Sequence, residues 1–181
     1  IFPTLDGEKV AYKLSENNAD AATLHVMDVV SGEKSEIDVI PNAKYARPSW
    51  KPDGSGFYYT YLPQGPDIAT DERPGYAEVR YHELGTDPSK DKLVRPKTGD
   101  PKTFQGVEIS RDGRWLLHFV RHGWESADVY FKDLEEPDGE WETLTEGSEY
   151  NFNVDVWKDQ FYIATDKGAP KKQLFKVPAE K

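Results

Sequence analysis

Short apolar, β-prone runs recur along the chain. Lys9-Val10-Ala11-Tyr12-Lys13-Leu14, Thr23-Leu24-His25-Val26-Met27 and Gln160-Phe161-Tyr162-Ile163-Ala164-Thr165 are of this kind, and Gly, Pro, Asp and Asn punctuate the gaps between them. Short runs rich in β-branched and aromatic side chains and bounded by turn residues predict strands joined by turns. Strands are expected at 2–5, 9–14, 23–29 and 36–40, then at 45–50, 57–62, 78–84 and 92–95. Further strands are expected at 106–110, 115–120, 128–134 and 141–145, and at 150–157, 160–165 and 173–177. No stretch sustains a 3.6-residue period, so helix is expected to be close to absent.

The strands fall into groups that repeat. An Asp-Gly turn follows the first strand of each group, at Asp6-Gly7, Asp53-Gly54 and Asp112-Gly113, with Lys158-Asp159 as a degenerate fourth. Glycine suits such turns because it takes positive φ without a Cβ clash. The four aspartates stand 47, 59 and 47 residues apart. The longer middle interval holds an insertion between Leu62 and Tyr76 that carries Pro63, Gly65, Pro66, Asp67, Asp71, Pro74 and Gly75. A period in the forties with strands in every unit is the mark of propeller blades. The expected fold class is all-β: a partial β-propeller of consecutive four-stranded antiparallel blades, with units at 1–41, 42–98, 99–147 and 148–181.

That count bears on what kind of chain this is. Propellers that close usually have at least four blades, and the last unit here offers three expected strands. The chain also opens on Ile1-Phe2-Pro3, and Met27 is its only methionine. The expectation is a fragment holding about half the blades of a longer protein.

Composition narrows the function classes. The net charge of −10 argues against a nucleic-acid footprint and against adhesion to an anionic membrane. Aromatic residues at 13% separate the chain from disordered acidic sequences and predict a folded domain with an acidic surface. The absence of cysteine removes disulfides, thiolate catalysis and cysteine metal sites.

Little in the sequence offers chemistry. A serine-hydrolase elbow needs Gly-x-Ser-x-Gly on a strand-to-helix turn, whereas Gly54-Ser55-Gly56 is shorter and lies in a hairpin. His118 and His122 would suit zinc on a helix, but on the strand expected here four residues span about 13 Å. Those two histidines are therefore read as structural, and His25 and His82 as packing or hydrogen-bonding groups within strands. The acidic clusters Glu135, Glu136, Asp138, Glu140 and Asp67, Asp71, Glu72 lack the spacing of calcium loops and are read as solvated. No metal and no cofactor are expected. Trp50 and Trp157, at matching ends of first strands, are expected to pack between blades.

Four segments together carry a resemblance. Trp50-Lys51-Pro52-Asp53-Gly54-Ser55-Gly56-Phe57-Tyr58-Tyr59 and Val79-Arg80-Tyr81-His82-Glu83-Leu84-Gly85-Thr86 come first. Ile109-Ser110-Arg111-Asp112-Gly113-Arg114-Trp115-Leu116 with Val129-Tyr130-Phe131-Lys132-Asp133-Leu134 comes next, then Thr165-Asp166-Lys167-Gly168-Ala169-Pro170. In this order the set resembles the propeller of the prolyl oligopeptidase family of serine peptidases, with a departure at Asn18-Ala19-Asp20-Ala21.

The resemblance implies a seven-bladed propeller in the parent, set over an α/β-hydrolase domain that cleaves short proline-containing peptides after proline. This chain would be non-catalytic. It would gate access to the catalytic domain and help bind the peptide. Lys44-Tyr45-Ala46-Arg47 resembles a family segment whose aromatic lines the peptide pocket, and Arg121-His122-Gly123-Trp124-Glu125 resembles a loop that approaches it. Tyr45, Arg47 and Trp124 are thereby the candidate substrate-binding residues, Arg47 and Trp124 standing where relatives carry smaller side chains. A cytoplasmic location is expected, with the periplasm as the alternative. The competing reading is a non-enzymatic protein-binding propeller like that of the Tol system, against which the segment 82–86 and the insertion before it speak.

Overall fold

A computed structural model describes residues 1–18, 21–63, 67–136 and 138–180. Ala19 and Asp20 of the departing segment, and Gly65 and Pro66 of the insertion, lie outside the described residues. The chain divides into two compact units, Ile1–Pro101 and Lys102–Lys181. Among the described residues, fifteen strands form four antiparallel sheets, and the only helical segments are three short 3₁₀ turns. No helix among them is long and apolar enough to cross a membrane. The all-β expectation is met.

The first unit holds two sheets. β1 (Phe2–Pro3), β2 (Lys9–Leu14), β3 (Thr23–Asp28) and β4 (Lys34–Ile40) form one meander. β5 (Ser49–Trp50), β6 (Gly56–Tyr61), β7 (Glu78–Glu83) and β8 (Lys92–Arg95) form the other. Their inner faces follow the two-residue period: Ala11, Leu24, Val26 and Ile40 from one sheet meet Trp50, Phe57 and Tyr59 from the other in one buried cluster. Phe57 is its centre, edge-on to Trp50 at 4.8 Å and to Tyr59 at 5.8 Å between ring centroids. Trp50 also donates its indole N–H to the carbonyl of Phe2 at 2.9 Å, which ties the two sheets at their first strands.

The second unit repeats the scheme. β9 (Thr103–Ile109), β10 (Trp115–His122), β11 (Ser126–Asp133) and β12 (Glu142–Thr145) make a four-stranded sheet, and β13 (Phe152–Trp157), β14 (Gln160–Thr165) and β15 (Gln173–Pro178) a three-stranded one. Trp115, Phe131 and Phe161 form the aromatic centre of its core, with Phe131 and Phe161 rings 4.9 Å apart. In each four-stranded sheet the register shifts between the third and fourth strands, at His25/Met27, Val79/Arg80 and Val129/Tyr130. A bulge adds twist to the strand that carries it.

The Asp-Gly turns are longer than tight two-residue hairpins. In the second sheet Gly54 N–H bonds the Lys51 carbonyl at 2.9 Å, and Lys51 N–H bonds the Gly56 carbonyl at 2.9 Å. Gly54 takes a φ of +65°, and Asp53 caps the turn by accepting the Ser55 amide and hydroxyl. Those two bonds hold the Asp53 carboxyl down to about 2. The degenerate fourth member is the tight one. Trp157 pairs with Gln160, and the two residues between, Lys158 and Asp159, both have positive φ, at +49° and +53°.

Two further expectations are corrected. Strand β5 is only Ser49–Trp50, so Tyr45 and Arg47 lie in the loop before it. Pro48 lacks the N–H that a ladder would need, and the residues ahead of it turn instead, Ala46 N–H bonding the Ala43 carbonyl at 3.0 Å. Trp50 is buried as expected, but Trp157 is 49% exposed, because it closes the Lys158-Asp159 turn at the end of its sheet.

Candidate functional site

The loop 41–48 hangs from the core of the first unit by two small residues. Ala43 and Ala46 are both fully buried, and Ala43 N–H bonds the Ala22 carbonyl at 2.8 Å. Between them Lys44 and Tyr45 form the corner of the turn. The Lys44 ammonium stands 5.3 Å from the Tyr45 ring centroid, and Lys13 donates to the Lys44 carbonyl at 3.0 Å. Tyr45 is half-buried and Arg47 exposed. Burial, and after it the charge of Arg47, hold the Lys13 amine below its ordinary range. The loop thus presents an aromatic ring with cationic groups around it.

Trp124 sits in the second unit, at the tip of the β10–β11 hairpin. It is 96% exposed. The turn beneath it is held firmly. Gly123 takes a φ of +60°, and the Asn151 side-chain amide donates to the carbonyls of Trp124 at 3.0 Å and Glu125 at 2.9 Å. Arg121, two residues before the turn, stacks its guanidinium 5.6 Å from the Phe119 ring centroid and reaches Asn153 at 3.4 Å. The structure brings Tyr45 and Arg47 onto one loop and sets Trp124 on a hairpin of the other unit.

His25 stacks on the Tyr12 ring at 5.6 Å between centroids, and the other three histidines have hydrogen-bond partners. His118 and His122 lie on one face of β10 but take separate partners: Nε2 of His118 lies 2.6 Å from Gln105 Oε1, and Nε2 of His122 2.7 Å from Asp128 Oδ2. Among the described residues no group of three or more His, Cys, Asp or Glu is placed to hold a metal. His82 is the exception in scale. It is fully buried, with Nε2 3.0 Å from Asp38 and Nδ1 2.8 Å from Asp91. The sequence reads His82 as a packing or hydrogen-bonding group and does not point to its two carboxylate partners. One signal for Asp38 exists: it stands two residues before buried Ile40, in phase with the core face of β4.

Comparison with known proteins gives a consistent result. A family model described as the prolyl oligopeptidase N-terminal beta-propeller domain matches residues 2–181. The prolyl endopeptidase of Elizabethkingia meningoseptica is 29% identical over 173 residues, which cover 94% of this chain and 24% of that protein. Protease 2 of Moraxella lacunata is 24% identical over 177 residues, covering 97% of this chain and 24% of that protein. A solved structure from a structural and mechanistic analysis of two prolyl endopeptidases superposes with a TM-score of 0.92 at 48% identity, over 97% of this chain and 26% of that one. Prolyl oligopeptidase B of Galerina marginata, bound to a 35mer hydrolysis and macrocyclization substrate, shares the fold at a TM-score of 0.86 and 21% identity, over 99% of this chain and 27% of its own. The chain spans about a quarter of the length of these relatives.

Proposed function

The chain belongs to the prolyl oligopeptidase N-terminal β-propeller domain family, and from that premise we propose that it is the gating and peptide-binding part of a proline-specific serine peptidase. In this reading the catalytic work falls to an α/β-hydrolase domain of the same protein. The propeller part excludes folded proteins from that domain and contributes contacts to the short peptides that pass.

The observation that carries the reading is Trp124. A tryptophan 96% exposed, on a turn braced by Asn151, costs apolar hydration unless a ligand or a neighbouring domain covers it. Tyr45 supports the reading from the loop 41–48. An apolar face flanked by a cation suits a proline ring next to a peptide carbonyl. Arg47, exposed on the same loop, is the matching polar contact for the peptide backbone.

The experiment is peptide hydrolysis by the full-length protein and its Tyr45→Ala and Trp124→Ala variants. Each variant is expected to lower kcat/KM for proline-containing peptides by about tenfold, the worth of one well-placed aromatic contact of roughly 1–2 kcal/mol. Unchanged kinetics in both variants would return the two residues to a structural role. Absence of any cleavage after proline by the full-length protein would overturn the reading as a whole.

A further inference from the structure

The joint between the two sheets of the first unit holds a buried histidine between two carboxylates. His82 on β7 is fully buried, and Asp38 on β4 and Asp91 just ahead of β8 flank its ring. A carboxylate only accepts hydrogen bonds. The contacts at 3.0 Å from Nε2 and 2.8 Å from Nδ1 are therefore both hydrogen bonds only when both ring nitrogens carry a proton.

The carboxylates are in turn satisfied. Asp38 Oδ1 also accepts the Gly85 amide at 2.6 Å, and its Oδ2 the Ser35 hydroxyl at 2.6 Å. Asp91 Oδ2 accepts the Tyr59 hydroxyl at 2.7 Å. The groups that face the ring are thus Asp38 from β4, Asp91 from the segment after the 3₁₀ turn Pro88–Lys90, and Phe57 of β6 at 5.3 Å between centroids, with the Tyr59 phenol one bond away. Full satisfaction is the condition under which buried charges hold a structure together.

We propose that His82 is a proton-held latch between the first and second sheets: protonated, it pins β4 to the segment ahead of β8, and deprotonated, it releases them. A neutral ring keeps one proton, so one bare nitrogen lone pair must face a carboxylate, and that contact turns repulsive. Burial by itself would push the imidazole down, but hydrogen bonds and charge from Asp91 and then Asp38 outweigh it and raise the ring above its ordinary value. The latch therefore opens at a higher pH than the one at which an ordinary histidine loses its proton.

The test uses the full-length protein labelled with ¹⁵N in its histidine rings, the His82 signals being assigned by their loss in His82→Gln. Both ring nitrogens of His82 are expected to stay protonated at pH values where an ordinary histidine, with a midpoint of about 6.5, is neutral. Amide exchange at Gly85, whose acceptor is Asp38, is expected to quicken at least tenfold beyond base catalysis as His82 loses its proton. Should His82→Gln not fold, Asp38→Asn keeps the shape and removes one charge, and it is expected to lower the His82 midpoint. A ring that titrates near 6.5, a Gly85 amide indifferent to that titration, or a midpoint unmoved in Asp38→Asn would overturn the proposal.

Discussion

Asp38 and His82 are 44 residues apart in the chain and 3.0 Å apart in the structure, one on each sheet of the first unit. Each is buried. Removing Asp38 leaves Asp91 facing the ring but takes the acceptor from His82 Nε2 and from the Gly85 amide, which costs about 1–3 kcal/mol for each unsatisfied group. Asp38→Ala is expected to destabilise the protein by that much in urea unfolding. Asp38→Asn, which still accepts a bond from His82 and from Gly85, should lose less.

The pH dependence follows from the direction of the His82 shift. A histidine whose folded value is raised adds stability that is fully present below its unfolded value of about 6.5 and is lost as pH climbs through the folded value. The stability difference between wild type and His82→Gln is therefore expected to be greatest in mild acid and to shrink above neutrality. Denaturant melts of both proteins across that range check the sign. A difference that grows with pH would contradict it.

Gly7 lies in an Asp-Gly turn and Gly56 opens the strand that follows one, and the two should respond to alanine differently. A Cβ on Gly56 would come 2.3 Å from the His82 carbonyl and 2.6 Å from the Tyr81 hydroxyl, and the carbonyl belongs to a paired strand that cannot move aside. Gly7 has nothing within 4 Å, and its obstacle is a φ of +76°. Gly7→Ala is expected to cost about 1–2 kcal/mol for the left-handed backbone. Gly56→Ala should cost about 1–3 kcal/mol through overpacking and should also disturb the β6–β7 pairing. Thermal melts read the first effect, and amide exchange on β7 the second.

The Lys158-Asp159 turn carries strain at its first residue. Asp159 is fixed by its contacts, since its carboxylate accepts the Trp115 indole N–H at 3.0 Å and an Arg114 N–H at 3.1 Å. Lys158 has the left-handed φ, and its ammonium stands 5.7 Å from the exposed Trp157 ring. Asparagine tolerates this conformation. Lys158→Asn is expected to raise stability by up to about 1 kcal/mol, the lower end of the left-handed penalty. Asp159→Gly, which also relieves the backbone, should lower stability because it breaks both side-chain bonds.

Trp124→Ala separates binding from folding. The side chain is 96% exposed and the bonds that brace its turn run to backbone carbonyls, so its loss should leave the melting midpoint unchanged. Any fall in peptide kcat/KM is then a contact effect. A melting midpoint lowered by several degrees would place Trp124 in the fold instead.

The strands are legible because β-prone composition and the turn residues that bound it are local properties. β2, β8 and β14 appear with the bounds that composition predicts. Others shift where a proline or a bulge acts, as Pro48 does ahead of β5. Within the candidate site, Tyr45, Arg47 and Trp124 emerged only from the family resemblance, since an aromatic in a loop carries no periodic signal. Asp38 was hidden for the opposite reason. A lone carboxylate in the run Lys34-Ser35-Glu36-Ile37-Asp38-Val39-Ile40 reads as a solvated position, although it shares the face of Ile40.

The sequence by itself determined the strand pattern and the repeat, because β-prone composition and turn chemistry act over a few residues and recur, and its four ordered motifs carried the family resemblance. Tertiary structure decided which polar groups turn inward and what they meet. Asp38 finds His82, and Asp159 finds Trp115, only when one sheet is laid on the next. That packing is set by the register and twist of whole sheets, which no local window of the chain contains.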